Sequence, residues 1–151
     1  MPIIYKQGDL LKSDCEIIGH GCNCFNSFGA GIALQMMDYH MPAWWADQQT
    51  PRGDRAKLGT FTVAIDEKPT GSRTIYNLYT QYTFSRTEVS VNYDAVRQSL
   101  CAMKAHIDTT NNSGKLGLPK LGAGLAMGDW NTIAAIIEDV FCDRDIYVYY
   151  L

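Results

Sequence analysis

Two glycine-containing loops, each placed between a strand-like and a helical segment, limit the possible folds most strongly. The first, SFGAGIALQ (27–35), follows the apolar segment CEIIGHG, and the second, LGAGLAMGDW (121–130), follows LGLPK. From residue 14 onward, β-rich and helical segments alternate along the chain. Such alternation is typical of α/β proteins, in which helices pack on a largely parallel sheet. We therefore predict a single α/β domain spanning residues 1–151.

Composition narrows the class of protein. The 151 residues are 46% hydrophobic and 19% charged, with a net charge of −3. These values are ordinary for a globular protein and lack the basic surface of a duplex-coating protein, although a nucleotide or strand end can still bind locally. No signal segment opens the chain and no apolar run approaches the roughly 18 residues of a membrane span. The five cysteines are irregularly spaced, so we expect a reduced protein in the cytoplasm, the host's if the protein is viral.

The remaining segments continue the pattern. Predicted strands are PIIYKQ, CEIIGHG, LGTFTVAID, RTIYNLYTQYT, KLGLPKL and DIYVYYL, and predicted helices are GAGIALQMMDYHM, YDAVRQSLCAMKAHID and WNTIAAIIEDVF. Leu34 belongs to the broad apolar side predicted for the first helix, and Pro42 either ends that helix or begins another. Asn92 or Ser90 is predicted to cap the second helix, and Asp129 the third.

Both glycine loops are predicted to lie where a strand ends and a helix begins. Such a junction exposes unpaired backbone N–H groups and the positive end of the helix dipole, and glycines let an anion approach them closely. Glycine at a tight turn is also commonly structural. Two such loops at the carboxyl ends of strands nevertheless favour a phosphate-bearing ligand, because ligands of α/β sheets gather at that edge. Neither loop carries the GKS or GKT of an ATPase loop or the G-x-G-x-x-G of a dinucleotide site.

The segment HGCNC (20–24) contains the residue types of a metal site, but its spacing argues against one. Zinc sites built on paired cysteines use C-x₂₋₄-C with a matching second half, which does not occur downstream. A redox pair favours C-x-x-C over the C-x-C found here. We therefore predict no metal and no cofactor, and we interpret Cys15, Cys101 and Cys142 as small core residues.

His20 and Asn23 each have a catalytic and a structural interpretation. A neutral imidazole at a strand end can act as a general base or as a nucleophile toward phosphorus. An asparagine amide can bind a sugar hydroxyl, or it can hold its own loop through bonds to the backbone. The residues alone leave both interpretations open.

Four motifs together resemble those of a macrodomain, the ADP-ribose-binding module, across essentially the whole chain. They are QGDLL, NCFNSFGAGIALQ, LGLPKLGAGLAMGDW and YVYYL, and their order and loop positions match together. The resemblance is to the branch that contains terminal ADP-ribose glycohydrolases, DNA-de-ADP-ribosylating antitoxins and yeast- and phage-type ADP-ribose-1″-phosphate phosphatases. It implies a three-layer α/β/α fold with a central mixed, largely parallel sheet.

Carried over by position, the resemblance implies a binding site in three parts. Asp9 would accept a hydrogen bond from the adenine amino group, with Leu10 beside it. Tyr149 and Leu151 would also lie by the adenine, and Asn23 would face the distal ribose. The diphosphate would be held by Gly29, Ala30, Gly31 and Ile32 of the first loop and by Gly122, Ala123, Gly124 and Leu125 of the second.

Two departures from the glycohydrolases bear on the chemistry. Gln81 stands where they have a catalytic lysine and Ala126 where they have a catalytic aspartate, so a covalent lysine–sugar adduct lacks both of its groups. His20, by contrast, matches the histidine-bearing strand end of the yeast-type phosphatases, and Asp129 is the nearest acid after the second loop. The resemblance therefore implies hydrolysis of the terminal phosphate of ADP-ribose-1″-phosphate, with His20, Asn23 and Asp129 as catalytic residues.

Two alternatives to the phosphatase stay open. One is hydrolysis of ADP-ribose from a protein or a nucleic acid end, and the other is binding of ADP-ribose or a related nucleotide without catalysis. In all three cases we expect a monomer whose partner is ADP-ribose or its derivative, with no membrane partner.

Overall fold

The computed structural model describes residues 3–29, 31–84, 89–124 and 126–151. The strands in these ranges are β1 (Ile3–Gln7), β2 (Ile17–Cys22), β3 (Phe61–Lys68), β4 (Gly71–Tyr79), β5 (Leu116–Pro119) and β6 (Ile146–Tyr150). The helices are α1 (Gly31–Tyr39), α2 (Met41–Gln48), α3 (Tyr93–Thr110) and α4 (Trp130–Val140), with 3₁₀ turns at Leu10–Lys12 and Arg55–Lys57. Ala30 and Leu125, both predicted to bind the diphosphate, lie outside the described residues.

The strands form a mixed sheet in the order β1-β6-β5-β2-β4-β3. Neighbours from β1 to β4 in this order are parallel, and β3 alone among the described strands runs antiparallel to its neighbour, with Phe61 opposite Leu78. The predicted largely parallel, mixed sheet is thereby confirmed. Because β2 and β5 point the same way, the loops that follow them meet at the carboxyl edge of the sheet.

Helices cover both faces of the sheet and give the predicted three layers. On one face, Leu100 of α3 and Ile133 of α4 pack in a core cluster with Leu118 of the sheet. On the other face, Met36 of α1 and Ala43 of α2 belong to a second cluster. We refer to these as the α3/α4 layer and the α1/α2 layer.

Helix α3 forms for the reasons that its sequence indicates. The side chains of its apolar stripe, spaced three or four residues apart, are each at most 1% exposed; they are Val96, Leu100, Met103 and Ile107. Asn92, rather than Ser90, caps its start, with Oδ1 accepting a hydrogen bond of 2.9 Å from the backbone N–H of Ala95. Asn111 ends it in the left-handed region at φ 54°. Within the described ranges, no helix is long and apolar enough to cross a membrane.

Three details of the sequence-based interpretation are wrong. Leu34 is 48% exposed, because α1 packs mainly through Met36, so the apolar side of α1 is narrower than predicted. Cys15 is buried as expected, but Cys101 and Cys142 are exposed. Cys101 follows Leu100 on α3 and is turned about 100° away from the buried stripe, which places it on the solvent side.

Candidate functional site

A cleft of about 430 Å³ opens between the loops that follow β2 and β5. This volume lies within the usual range for small-molecule sites, and the carboxyl edge is where α/β sheets bind ligands. The described residues that line it are Gly21, Cys22, Asn23, Ser27, Gly29, Gly31, Ile32, Ala33, Gln81, Phe84, Pro119, Lys120, Leu121, Gly122, Gly124 and Ala126.

Many of the residues predicted to bind the ligand are brought together in this lining. From the first loop they are Asn23, Gly29, Gly31 and Ile32, and from the second Gly122 and Gly124. Gln81 and Ala126 line the same cleft. Helix α1 begins at Gly31, so its N-terminal N–H groups and the positive end of its dipole lie at the cleft.

Asn23 is held by its own loop. Its Oδ1 accepts a hydrogen bond of 2.8 Å from the backbone N–H of Phe25, and its Nδ2 donates one of 3.0 Å to the carbonyl oxygen of Ser27. The side chain is therefore fixed at the cleft wall before any ligand arrives. Since an asparagine amide has two N–H donors and Ser27 takes one, the second is suited to a ligand oxygen.

A buried lysine supports the same loop from the α1/α2 layer. Lys57 is 6% exposed, and its Nζ donates to the carbonyl oxygen of Cys24 at 3.1 Å and to Oδ1 of Asn26. Asp47, fully buried nearby, accepts a hydrogen bond of 2.7 Å from the hydroxyl of Tyr79. Burial lowers the pKa of Lys57, an effect that the charge of Asp47 opposes. Burial raises the pKa of Asp47, and the bond from Tyr79 opposes that change.

The two glycines of the second loop differ in what requires them. Gly122 has φ +76°, and a Cβ there would lie 2.8 Å from Val91 and 3.0 Å from Ile133. Its carbonyl oxygen also accepts a hydrogen bond of 2.7 Å from the N–H of Gly128. A Cβ on Gly124 would meet nothing within 4 Å among the described atoms, and Gly124 lines the cleft. Gly122 is therefore needed by the fold, whereas Gly124 keeps the cleft open.

His20 lies behind the cleft, fully buried in the α1/α2 layer. Its Nε2 is 2.7 Å from Oδ1 of Asn77, and Nδ2 of Asn77 donates to Ala43 and Thr62. Oδ1 must therefore be the acceptor, so Nε2 of His20 carries the proton. Burial lowers the pKa of His20 to about 4. The described lining does not include His20, so in this arrangement the ring does not reach a phosphate bound in the cleft.

Asp129 has the structural role that its sequence position predicts. Its Oδ2 accepts hydrogen bonds from the backbone N–H of Thr132 at 3.2 Å and from its hydroxyl at 2.7 Å, which caps α4. These bonds from Thr132 lower the pKa of the carboxyl group. Asp129 is exposed and does not belong to the described lining, so its carboxylate is committed to the helix rather than to the cleft.

The residues predicted for the adenine lie apart from the described lining. Asp9 accepts a hydrogen bond of 3.0 Å from the N–H of Leu11 and caps a 3₁₀ turn. Leu10 is 2% exposed, Leu151 is 94% exposed, and Tyr149 packs partly buried against the α1/α2 layer. In the second loop, Ala123 likewise packs against the α3/α4 layer instead of lining the cleft.

Sequence reasoning missed two lysines at this site. Lys120 lines the cleft, and its position directly before the second glycine loop was a signal that could have revealed it. Lys57 had no such signal, because it reaches the first loop across 33 positions of sequence. Among the described residues, no group of three or more His, Cys, Asp and Glu side chains is placed to hold a metal ion.

Known proteins resemble this chain over almost its full length. No protein-family model matches the sequence. A 17.5 kDa protein of Enterobacteria phage T4 from the tk–vs intergenic region, itself described as uncharacterized, is 30% identical over 98% of this chain and 96% of its own. The ADP-ribose glycohydrolase OARD1 of Bos taurus is 38% identical over 97% of this chain and 88% of its own. The macrodomain of Mycobacterium tuberculosis DarG superposes with a TM-score of 0.82 at 23% identity, over 99% of this chain and 97% of that one. The chain belongs to the macrodomain family.

Proposed function

We propose that this protein binds ADP-ribose in the cleft between its two glycine loops. The observation that carries the proposal is the convergence of both loops on one cleft, with the N-terminus of α1 at its wall. Backbone N–H groups and a helix dipole together favour a diphosphate. The 38% identical relative is named for action on ADP-ribose, which agrees with this ligand.

In this proposal the ligand is arranged along the cleft. The diphosphate lies against the loops, including Ala30 and Leu125, and the distal ribose bonds to the second amide N–H of Asn23. The adenine would lie outside the cleft lining, toward the ends of β1 and β6. There it would contact Asp9, Leu10, Tyr149 and Leu151.

For the reaction, we propose hydrolysis of the terminal phosphate of ADP-ribose-1″-phosphate at the Asn23 end. Gln81 and Ala126 both line the cleft, so neither a lysine nor a carboxylate is presented at those positions for a covalent sugar adduct. Asn23 would orient the phosphate or its attacking water. His20, bonded to Asn77 behind the strand, would act by positioning the end of β2, and Asp129 by holding α4 beside the second loop.

A second candidate reaction is removal of ADP-ribose from a modified protein or nucleic acid end. The observation that favours it is the 38% identity to a protein named ADP-ribose glycohydrolase. In that case Asn23 and the amide of Gln81 would place a water against the ribose carbon. Binding without turnover is the third outcome, and the absence of a carboxylate among the described lining residues favours it.

One panel of measurements tests these proposals. Calorimetry with ADP-ribose should show binding by the wild type, and Asn23→Ala should weaken it by about tenfold, the loss of a hydrogen bond and of loop order. Failure of the wild type to bind would overturn the proposed function.

Turnover then separates the reactions. Phosphate release from ADP-ribose-1″-phosphate, and ADP-ribose release from modified protein and modified DNA, should be measured for the wild type, Asn23→Ala and His20→Ala. Equal phosphate release by the wild type and His20→Ala would remove His20 from the mechanism, and no release from any substrate would leave binding as the function.

A further inference from the structure

The cleft has very little charge for a site that would hold a diphosphate. Among the described residues that line it, Lys120 is the one with a charged side chain. The chain as a whole carries a net charge of −3, so the long-range field does not favour an anion. A local cation therefore matters more here than on a basic protein.

Lys120 occupies a defined place beside the cleft. It directly follows β5, whose last residue is Pro119, and precedes the second glycine loop. Its Nζ lies 5.9 Å from the centroid of the Trp130 ring and 5.5 Å from that of Tyr150. The indole N–H of Trp130 in turn donates a hydrogen bond of 3.0 Å to the hydroxyl of Tyr5, which fixes the orientation of the indole.

These contacts describe a resting position that a stronger partner can replace. A lysine over the face of an exposed aromatic ring gains only a modest attraction. Charge-assisted hydrogen bonds to phosphate oxygens are stronger, and the four-carbon stem of lysine is flexible. Lys120 is exposed, so its ammonium can turn from the two rings to the cleft without unpacking the core.

We propose that Lys120 is the cation that binds the diphosphate of the ligand, and that Trp130 and Tyr150 hold its ammonium when no ligand is bound. The inference rests on the proposed function, because it assigns a counter-charge to the ligand of that same cleft. It adds a side chain to a site whose other diphosphate contacts would come from the backbone.

Lys115 provides a matched control at the opposite end of the same strand. It directly precedes β5, its Nζ lies 4.3 Å from the centroid of the Tyr147 ring, and it pairs with Asp14 at 2.9 Å. Lys115 thus has the same charge and a similar aromatic contact, but it is not part of the described lining.

The test is calorimetric binding of ADP-ribose at low and at high salt. Lys120→Met should bind about tenfold more weakly than the wild type at low salt, as expected for one lost charge-assisted contact. Its affinity should also depend less on salt, because the screened attraction has been removed. Lys120→Arg should keep most of the affinity, and Lys115→Met should match the wild type.

The binding data distinguish a failure of the role of Lys120 from a failure of the proposed function. If the wild type binds and Lys120→Met binds within twofold of it, the role of Lys120 is overturned while the proposed function stands. Equal weakening by Lys115→Met and Lys120→Met would also overturn it, since the effect would then come from net charge. A wild type that does not bind ADP-ribose overturns the proposed function and this inference with it.

Discussion

Replacing His20 with glutamine should remove part of the acid sensitivity of the fold. His20 is fully buried and neutral, and burial lowers its pKa from an ordinary 6.5 to about 4. Between these two values the unfolded chain binds a proton that the folded protein does not. The stabilisation is therefore complete above pH 6.5 and is lost as the pH falls toward 4.

The magnitude follows from the size of the pKa change. A pKa difference of one unit between the folded and unfolded states corresponds to about 1.4 kcal/mol, so the full change in the pKa of His20 amounts to about 3 kcal/mol. Between pH 7 and pH 5 the linkage relation gives a loss of about 2 kcal/mol from His20 alone. Glutamine does not titrate and keeps an N–H for Asn77, so His20→Gln should lack this loss.

Urea unfolding at pH 7 and pH 5 measures the effect. The wild type should lose about 2 kcal/mol more between the two pH values than His20→Gln. His40, whose pKa is also lowered by burial, is present in both proteins and cancels from the comparison. Equal losses in the two proteins would refute the argument that His20 is buried without charge. At pH 7, His20→Gln should also keep its affinity for ADP-ribose within about threefold, because the ring does not line the cleft.

Three further changes test the supports of the site. Gly122→Ala should lower the free energy of unfolding by about 1–3 kcal/mol in urea melts, because the new Cβ would combine a positive φ with a tight contact. Gly124→Ala should leave the free energy of unfolding within about 0.5 kcal/mol of the wild type and should instead weaken ADP-ribose binding in calorimetry. A stable Gly122→Ala would contradict the loop geometry. Lys57→Met should cost about 3 kcal/mol in thermal melts, since it leaves the acceptors on Cys24 and Asn26 without their donor and removes the charge that acts on buried Asp47. A neutral result would mean that the lysine is dispensable. Asp129→Ala should lower the free energy of unfolding by about 1 kcal/mol, whereas Asp129→Asn should leave it nearly unchanged, because asparagine also caps a helix. If the stable Asp129→Asn lost phosphate release, the carboxylate would be catalytic.

The order of the strands and of α1, α3 and α4 was predictable because these elements depend on local periodicity and capping, whereas α2 was one of the two outcomes that Pro42 left open. Asn92 and Asp129 cap α3 and α4, respectively, through side-chain oxygens that accept from the first turn. The two cleft loops were predictable as well, since glycines between a strand and a helix are a local sequence pattern that indicates a loop open to a ligand. Strand β2 runs one residue beyond the predicted segment CEIIGHG, because Cys22 continues to pair with Tyr79 of β4.

The burial of His20 was predictable in principle, whereas the contact of Lys57 with the first loop was not. Side chains alternate between the faces of a strand, so Ile18, His20 and Cys22 point into the same layer. That alternation, applied to the end of β2, indicates a buried ring rather than one that faces a ligand. Lys57, by contrast, meets Asn26 only because α2 and the following turn fold back on the first loop, and such long-range contacts leave no local pattern.

The two loops are supported from opposite faces of the sheet, and this has a consequence for binding. The first loop rests on Lys57 in the α1/α2 layer, and Gly122 of the second packs against Ile133 in the α3/α4 layer. A ligand that contacts both loops therefore links the two layers that lie on opposite faces of the sheet. Its binding energy is added to the folded state alone, by about 2.7 kcal/mol at a hundredfold excess over Kd. Because neither layer forms the cleft by itself, weakening either support reduces the affinity for the whole ligand and not for one of its halves.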